Sequence, residues 1–481
     1  MGSLAAPAIP SLPPSRIIGK EARFRSAERG GPFCFRQRCR TNPQNQESIA
    51  GGRNAGAALR DAATGKSTMM KRRNFLTTVA MAGGALAAPG YLRIARAAEP
   101  LRVGALYSQT GGLSVVEKML SSAVQLAASE INAAGGVLGR QIEVIVEDGA
   151  SDPKTFAEKA QKLVISDKVE TVFGCHTSAS RKAVLPIFER RNAMLFYQTH
   201  YEGFECSRNV VYLGAVPNHQ LSNYIPWIIE TLGKKKFFIV GSNYVYPREM
   251  AKVSKSLIEA GGAEWVADEY LELGHSEWAV MVNKIKDSGA DVVLSNVVGD
   301  SIISFYREFK NQGLSQDQIP ICATVTSEIE IAAMGAEYAA GSYTSFPYFM
   351  SIDRPENLSF IERYRAFVND PKAITYHSLE AAYFQVFLWK QAIEKAGDIT
   401  ADAIREGVRG QTFDAPGGPV KVDEDNLHTW VTPNIGQWQA DGQSKIVSAY
   451  PEPVKPLPYS GYGETAENLF CTASGLDTTK L

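Results

Sequence analysis

From Leu101 onward, short apolar runs alternate with longer segments of helical period, which restricts the chain to strands buried between helices around parallel sheets. Residues 102–106 read as the first strand. Val116, Leu120, Val124, Ala127 and Ile131 then recur at spacings of 4, 4, 3 and 4, one face of an amphipathic helix that Gly135-Gly136 stops. Strand–helix pairs follow at 142–147 with 153–166 and 170–174 with 178–191, then a strand at 194–197, so a first lobe closes near Pro217. The pattern restarts with strands at 236–240, 265–270 and 291–296 and helices at 247–260, 277–288 and 301–312. Strand-like stretches at 320–323 and 342–349 and a long helix at 377–396 make a tail too small for a third lobe. The expected fold class is therefore α/β, with two doubly wound parallel-sheet lobes: 99–217 with about 345–400, and 218–344 with about 401–450. The Pro-rich stretch Pro451 to Tyr462, within a C-terminal tail over 451–481, is expected on the surface.

Charge separates this body from what precedes it. The chain of 481 residues carries 50 Lys/Arg and 51 Asp/Glu, a net of −1. Residues 1–97 hold 16 Lys/Arg against 4 Asp/Glu, a net of +12, and residues 98–481 hold 34 against 47, a net of −13. An acidic body argues against a nucleic-acid partner. Residues 1–68 are rich in Pro, Gly, Ser and Arg without a period and read as disordered, or as sequence upstream of a start codon assigned too early. After Met69-Met70, the run Lys71-Arg72-Arg73-Asn74-Phe75-Leu76, the apolar stretch Thr77 to Ala88 and the small-residue pattern Ala95-Arg96-Ala97-Ala98 form a signal peptide over 69–98. Its twin arginines and mildly apolar core point to twin-arginine export, with the general secretory route as the alternative. The apolar stretch is shorter than the ~20 residues that span a bilayer, so cleavage near Ala97-Ala98 and a periplasmic location are expected. Gly65-Lys66-Ser67-Thr68 is not a phosphate loop, because Arg60 stands where its first glycine belongs.

Functional residues of open α/β sheets gather at the C-terminal ends of strands. Here those loops are Cys175-His176-Thr177-Ser178-Ala179-Ser180, Gln198-Thr199-His200-Tyr201-Glu202-Gly203, Ser242-Asn243-Tyr244-Val245-Tyr246-Pro247 and Val297-Val298-Gly299-Asp300-Ser301. Hydroxyls, amides and tyrosines suit a small, neutral, polar solute. Ser178, at a helix start, either holds the solute or caps its helix. The tyrosines serve as aromatic walls or as ordinary packing, and Cys175 reads as a buried small hydrophobe rather than a nucleophile.

At these residues a family becomes recognisable. Ile131-Asn132-Ala133-Ala134-Gly135-Gly136-Val137-Leu138-Gly139-Arg140 resembles the hallmark of type I periplasmic binding proteins of the branched-chain amino acid and amide class. Gly174-Cys175, Ser180 to Val184, Tyr201-Glu202-Gly203-Phe204-Glu205, Tyr246-Pro247-Arg248-Glu249 and Phe413 to Val420 are similar to the urea and short-chain amide receptors of ABC transporters, and to a related cytoplasmic regulator of aliphatic amidase expression. The similarity runs from about Leu101 to Tyr459. The resemblance implies two lobes joined by three crossover strands that close on the solute, and a membrane permease that reads the closed form. It places the amide-contacting serine on Ser178, the threonine on Thr199, the aromatic wall on Tyr197 and the second-lobe tyrosine on Tyr244, with Tyr246 beside it. Two positions depart from the pattern: His176 replaces an aromatic Trp or Tyr, and Gln198-Thr199 replaces Pro-Val of urea receptors. Asp300 matches the transport receptors as an acceptor for a solute NH2 group.

Two other functions compete. A cytoplasmic regulator would have no use for Arg72-Arg73 and a cleavage site. A secreted amidase would need a catalytic motif, and neither G-x-S-x-G nor H-E-x-x-H occurs. The reading is of a non-enzyme with no cofactor and no metal; His176 and His200, both in cleft loops, are the one pair considered for metal. Of six cysteines, Cys34 and Cys39 fall in the leader, and an oxidising compartment permits a Cys206–Cys471 disulfide or four reduced thiols.

Overall fold

The computed structural model describes residues 99–205 and 207–458, and the backbone of 471–472 and 475–476. The leader with its signal motif, Cys206 and the side chain of Cys471 lie outside the described residues.

The first lobe is built from β1 (Leu101–Tyr107), α1 (Ser114–Ala133), β2 (Ile142–Asp148), α2 (Pro153–Gln161), β3 (Thr171–Gly174), α3 (Ser178–Arg191), β4 (Met194–Tyr197) and β5 (Val210–Tyr212). The strands form a parallel sheet in the order β2-β1-β3-β4-β5. Every residue of β3 and β4 is buried, as apolar runs sandwiched between helices require. The Leu120, Val124, Ala127 and Ile131 stripe of α1 packs on one face of the sheet, and Phe156, Val184 and Phe188 of α2 and α3 cover the other.

The second lobe contains α4 (Pro217–Leu221), α5 (Tyr224–Glu230), β6 (Lys236–Ser242), α6 (Val245–Ala260), β7 (Glu264–Leu271), α7 (Ala279–Asp287), β8 (Val292–Asn296), α8 (Ser301–Asn311), β9 (Ile321–Ala323), α9 (Glu328–Met334), α10 (Ala336–Ala339) and β10 (Tyr343–Phe346). The tail then adds α11 (Pro355–Val368), α12 (His377–Ala396), α13 (Ala401–Val408), β11 (Thr412–Ala415), β12 (Gly418–Val422), β13 (Thr429–Trp430), β14 (Asn434–Trp438) and β15 (Ser444–Ala449). The second sheet runs β15-β14-β10-β9-β8-β6-β7, parallel except where β14 pairs with β10 and β15.

Residues 401–430 do not belong with the second lobe, where the sequence reading put them. Ala401, Ile404 and Val408 of α13 join the first-lobe core against α12, and Phe413 of β11 stacks on Phe387 at 5.2 Å. The reason is the apolar surface of α12, which α1 alone does not cover. Only β14 and β15 reach the second sheet.

The chain passes between lobes near Leu213, Pro347 and Val431-Thr432, and these three passages lie side by side around one small cavity with His377 and Glu380. The first passage lies tight on the loop after β4. Tyr201 N–H donates to Ala215 O at 3.0 Å, and a Cβ on Gly214 would meet the Thr199 carbonyl carbon at 2.1 Å. Gly214→Ala is therefore expected to destabilise the protein by about 1–3 kcal/mol through overpacking against backbone, read as a lower midpoint in urea unfolding. An unchanged midpoint would show that the passage can move away from Thr199.

Candidate functional site

The C-terminal ends of β3 and β4 face those of β6, β8 and β9 across the cleft, where α3 touches α6. At the end of β3, Gly174 is required because a Cβ would lie 2.6 Å from Leu106 O. The next residue, Cys175, takes a left-handed backbone at φ 62°, a conformation costing roughly 1–2 kcal/mol in a non-glycine residue. Gln198 Nε2 holds it by donating to Cys175 O at 2.7 Å, and the Tyr197 hydroxyl donates to His176 O at 2.8 Å. This turn aims His176 at Thr199, with Nδ1 to Oγ1 at 3.0 Å. Burial lowers the His176 pKa to about 4, so the ring is neutral.

Thr177, not Ser178, caps α3: its Oγ1 accepts from Ser180 N–H at 3.1 Å. Ser178 is left for other work. Its hydroxyl donates to Glu202 Oε2 at 2.5 Å and accepts from Arg181 Nη1 at 3.1 Å. Arg181 is fully buried and also binds Glu202 Oε1 at 3.2 Å and Glu205 Oε1 at 2.7 Å. Its guanidinium lies 4.7 Å from the Tyr197 ring centre and 4.3 Å from that of Tyr201. Burial disfavours the charge, but Glu205 and Glu202 hold its pKa well above the usual value. Burial likewise pushes Glu205 up, and Arg181, Lys182 and the Tyr212 hydroxyl more than reverse it, leaving its pKa lowered. Sequence reasoning did not give Arg181, Glu202 or Glu205 a role; an arginine on a helix and two acids in a loop look like surface charge.

From the second lobe, Tyr244 sits opposite this cluster. Its phenol is raised well above 10 by burial, then by Tyr246, Tyr197 and Glu202. Tyr246 donates to Thr324 Oγ1 at 3.2 Å, and Thr324 in turn to Asn296 Oδ1 at 2.6 Å. Gln220 Nε2 braces the same turn through Thr324 O at 2.7 Å. The structure thus brings together Ser178, Thr199, Tyr197, Tyr244, His176 and Tyr246. Asp300 stands apart: it is exposed, flanks the start of α8, and lines a surface depression with His275, Ser304 and Arg307.

His200, the other histidine of the cleft loops, is enclosed by aromatic rings. Its ring packs between Tyr246 at 5.3 Å, Phe346 at 5.2 Å and His377 at 6.0 Å, and burial holds its pKa well below 6.5. Among the described residues no group of three or more His, Cys, Asp or Glu is placed to hold a metal ion. Cys175 and Cys322 are free and buried, and burial pushes both thiols up.

Residues 101–465 match the family described as periplasmic binding protein domain. The chain belongs to the periplasmic binding protein family. Among its relatives, the binding protein is 27% identical over 299 residues to Leu/Ile/Val-binding protein homolog 6 of Brucella suis, covering 61% of this chain and 76% of that one. It is 25% identical over 343 residues to a leucine-, isoleucine-, valine-, threonine- and alanine-binding protein of Pseudomonas aeruginosa, covering 71% and 90%. Its fold matches a solute binding protein of an ABC transporter from Rhodopseudomonas palustris in complex with p-hydroxybenzoic acid, with TM-score 0.68, 21% identity and coverage of 73% and 97%. It also matches LivJ of Streptococcus pneumoniae in complex with isoleucine, with TM-score 0.64, 22% identity and coverage of 74% and 100%. Family membership makes the protein a periplasmic binding protein that works outside the cytoplasmic membrane and binds its solute rather than transforming it.

Two stability tests follow from the buried ion cluster. Arg181→Met leaves Glu202 buried without its cation and Glu205 with only the half-exposed Lys182, and is expected to cost about 3–5 kcal/mol in chemical unfolding. Because the folded pKa of Glu205 is lowered, its contribution is present above the ordinary glutamate value of about 4.3 and is lost as pH falls through the folded value. The stability difference between the binding protein and its Glu205→Gln variant should therefore shrink on acidification; a difference constant from pH 7 to pH 3 would refute this assignment.

Proposed function

We propose that the solute is urea or a short-chain amide, held between Ser178, Thr199, Tyr197 and His176 of the first lobe and Tyr244 and Tyr246 of the second. The observation that carries this reading is the pattern of unspent donors and acceptors. The Ser178 donor is used on Glu202, so Ser178 and Glu202 offer a solute acceptors only. In the pair His176–Thr199, one hydrogen bond consumes one of two donors whichever tautomer the ring adopts, so one donor remains. A carbonyl oxygen with an NH2 group beside it complements both. A carboxylate finds no uncompensated buried cation, because Arg181 is already paired with two carboxylates.

Each lobe supplies part of the shell, so the solute favours the closed state by its differential affinity, and the closed pair of lobes is what a permease would engage. A branched-chain amino acid is the second reading, favoured by the names of the relatives and by the ability of Glu202 to accept from an ammonium group. The segment 69–98 is assigned as a twin-arginine export signal, which N-terminal sequencing of the exported protein tests.

Calorimetric titration of residues 98–481 with urea, acetamide, isoleucine and 4-hydroxybenzoate separates these readings. Binding of a neutral amide or urea is expected, with no heat from the two carboxylates. Ser178→Ala and Tyr244→Phe should each weaken it by about 1–3 kcal/mol, roughly 5- to 150-fold, with little change in stability for Tyr244→Phe. Tight binding of isoleucine with no response to amides would overturn the amide reading.

A further inference from the structure

Glu202 is 1% exposed and yet half of its hydrogen-bonding capacity is unspent by the bonds that fix it. A carboxylate offers about four lone-pair sites. Two are used, Oε2 by Ser178 and Oε1 by Arg181. The carboxylate is fixed from behind, because Arg181 is clamped between the Tyr197 and Tyr201 rings and anchored by Glu205. It lies against the candidate solute serine, whose hydroxyl donates to Oε2 at 2.5 Å, and near enough to Tyr244 and Tyr246 of the opposite lobe for its charge to act on both phenols. Both of those phenols are held protonated by burial, so they remain hydrogen-bond donors. Only one of the two cations here is buried: Arg181 meets both carboxylates, and Lys182, which balances Glu205 at 3.3 Å, is half-exposed.

We propose that Glu202 is the specificity-determining residue of the site, accepting N–H hydrogens of the solute on its unspent lone pairs and repelling a carboxylate at the same position. Arg181 is its positioning residue. The class of solute that follows is one bearing an NH2 group, neutral or cationic, with no carboxylate next to it. This assignment rests on the amide reading above and adds to it a residue and a rule of exclusion.

Three molecules of nearly one shape test it: acetamide, acetate and acetamidinium, which are neutral, anionic and cationic. For the unaltered protein, calorimetry at pH 7 should give binding of acetamide and acetamidinium and none of acetate. In Glu202→Gln, acetamide affinity should fall 10- to 100-fold, acetamidinium should fall further than acetamide, and acetate binding should rise relative to acetamide by about 100-fold. Glu202→Asp keeps the charge and shortens the reach, so it should lose at least 10-fold for acetamide while still excluding acetate. If Glu202→Gln does not fold, as judged by near-ultraviolet circular dichroism, Glu202→Asp carries the test alone. An unaltered protein that binds no amide, urea or amidine overturns the amide reading and this assignment together. A protein that binds acetamide and whose folded Glu202 variants keep the same affinity and the same order of the three molecules overturns the Glu202 assignment and leaves the amide reading standing.

Discussion

A guanidinium with no exposed surface dominates the physics of the first lobe. Taking a charge such as Arg181 out of water costs several kcal/mol even after relaxation, and only close, well-oriented partners offset that cost. The loop after β4 is folded to provide them. Glu202 and Glu205 are three residues apart, and the turn between them, with Gly203 at φ 77°, brings both carboxyls onto one cation. Tyr197 and Tyr201 cover its faces, where their π-electrons add favourable electrostatics in a dry environment. The Ser178 hydroxyl completes the set. The candidate solute serine and the most demanding electrostatic problem in the lobe are thus one structure.

The same cluster is continuous with the hinge. Glu205 accepts from Tyr212 at 3.0 Å, and Tyr212 is the last residue of β5 before the first passage to the second lobe. Tyr201 and Tyr212 stack with His428, which stands just before β13 and the third passage. His428 Nδ1 faces Asn426 O at 2.8 Å, and a carbonyl only accepts, so Nδ1 carries the proton. Nε2 is then the acceptor for the Tyr201 hydroxyl at 2.5 Å. Thr429 Oγ1 donates to Tyr212 O at 3.0 Å and ties the two passages together. The small antiparallel sheet β11-β12-β13 therefore braces the passages from the first-lobe side, and the Arg181 cluster is joined to them through Tyr212 and His428.

How much of this was legible in the sequence follows from the range of the interactions involved. Strands β3 and β4 and helices α3 and α12 are local patterns of burial, and their ends fall at Gly174, Ser178, Tyr197 and His377, where the apolar periodicity changes. The cleft loops were legible because strand ends in a parallel sheet define one edge. What local pattern cannot carry is pairing: nothing in the spacing of Arg181 to Glu202 distinguishes a buried ion pair from two solvated charges. The placement of α13 and β11 failed for a related reason, since a short amphipathic helix fits either lobe and the choice is made by which neighbouring helix has apolar surface left over. Asp300 differs from the other candidates in place, an exposed residue between β8 and α8 away from the Arg181 cluster.

Selectivity in such a cleft is set by which hydrogen-bonding capacity is already spent when the lobes meet. Closure removes water, so any donor or acceptor left without a partner costs roughly 1–3 kcal/mol, more if it is charged. Histidine at position 176 is tolerable there because burial keeps the ring neutral, with a pKa of about 4; a charged imidazolium would need a second anion. Thr199 makes the neutral ring useful, since the pair keeps one donor in reserve in either tautomer. Ser178, deprived of its donor by Glu202, supplies the opposite polarity a short distance away. The two halves are held for different reasons, one through the left-handed turn at Cys175 and the other through Arg181, and on the proposed amide reading it is their complementary polarity, rather than the number of polar groups, that would distinguish a neutral amide from a carboxylate of the same shape.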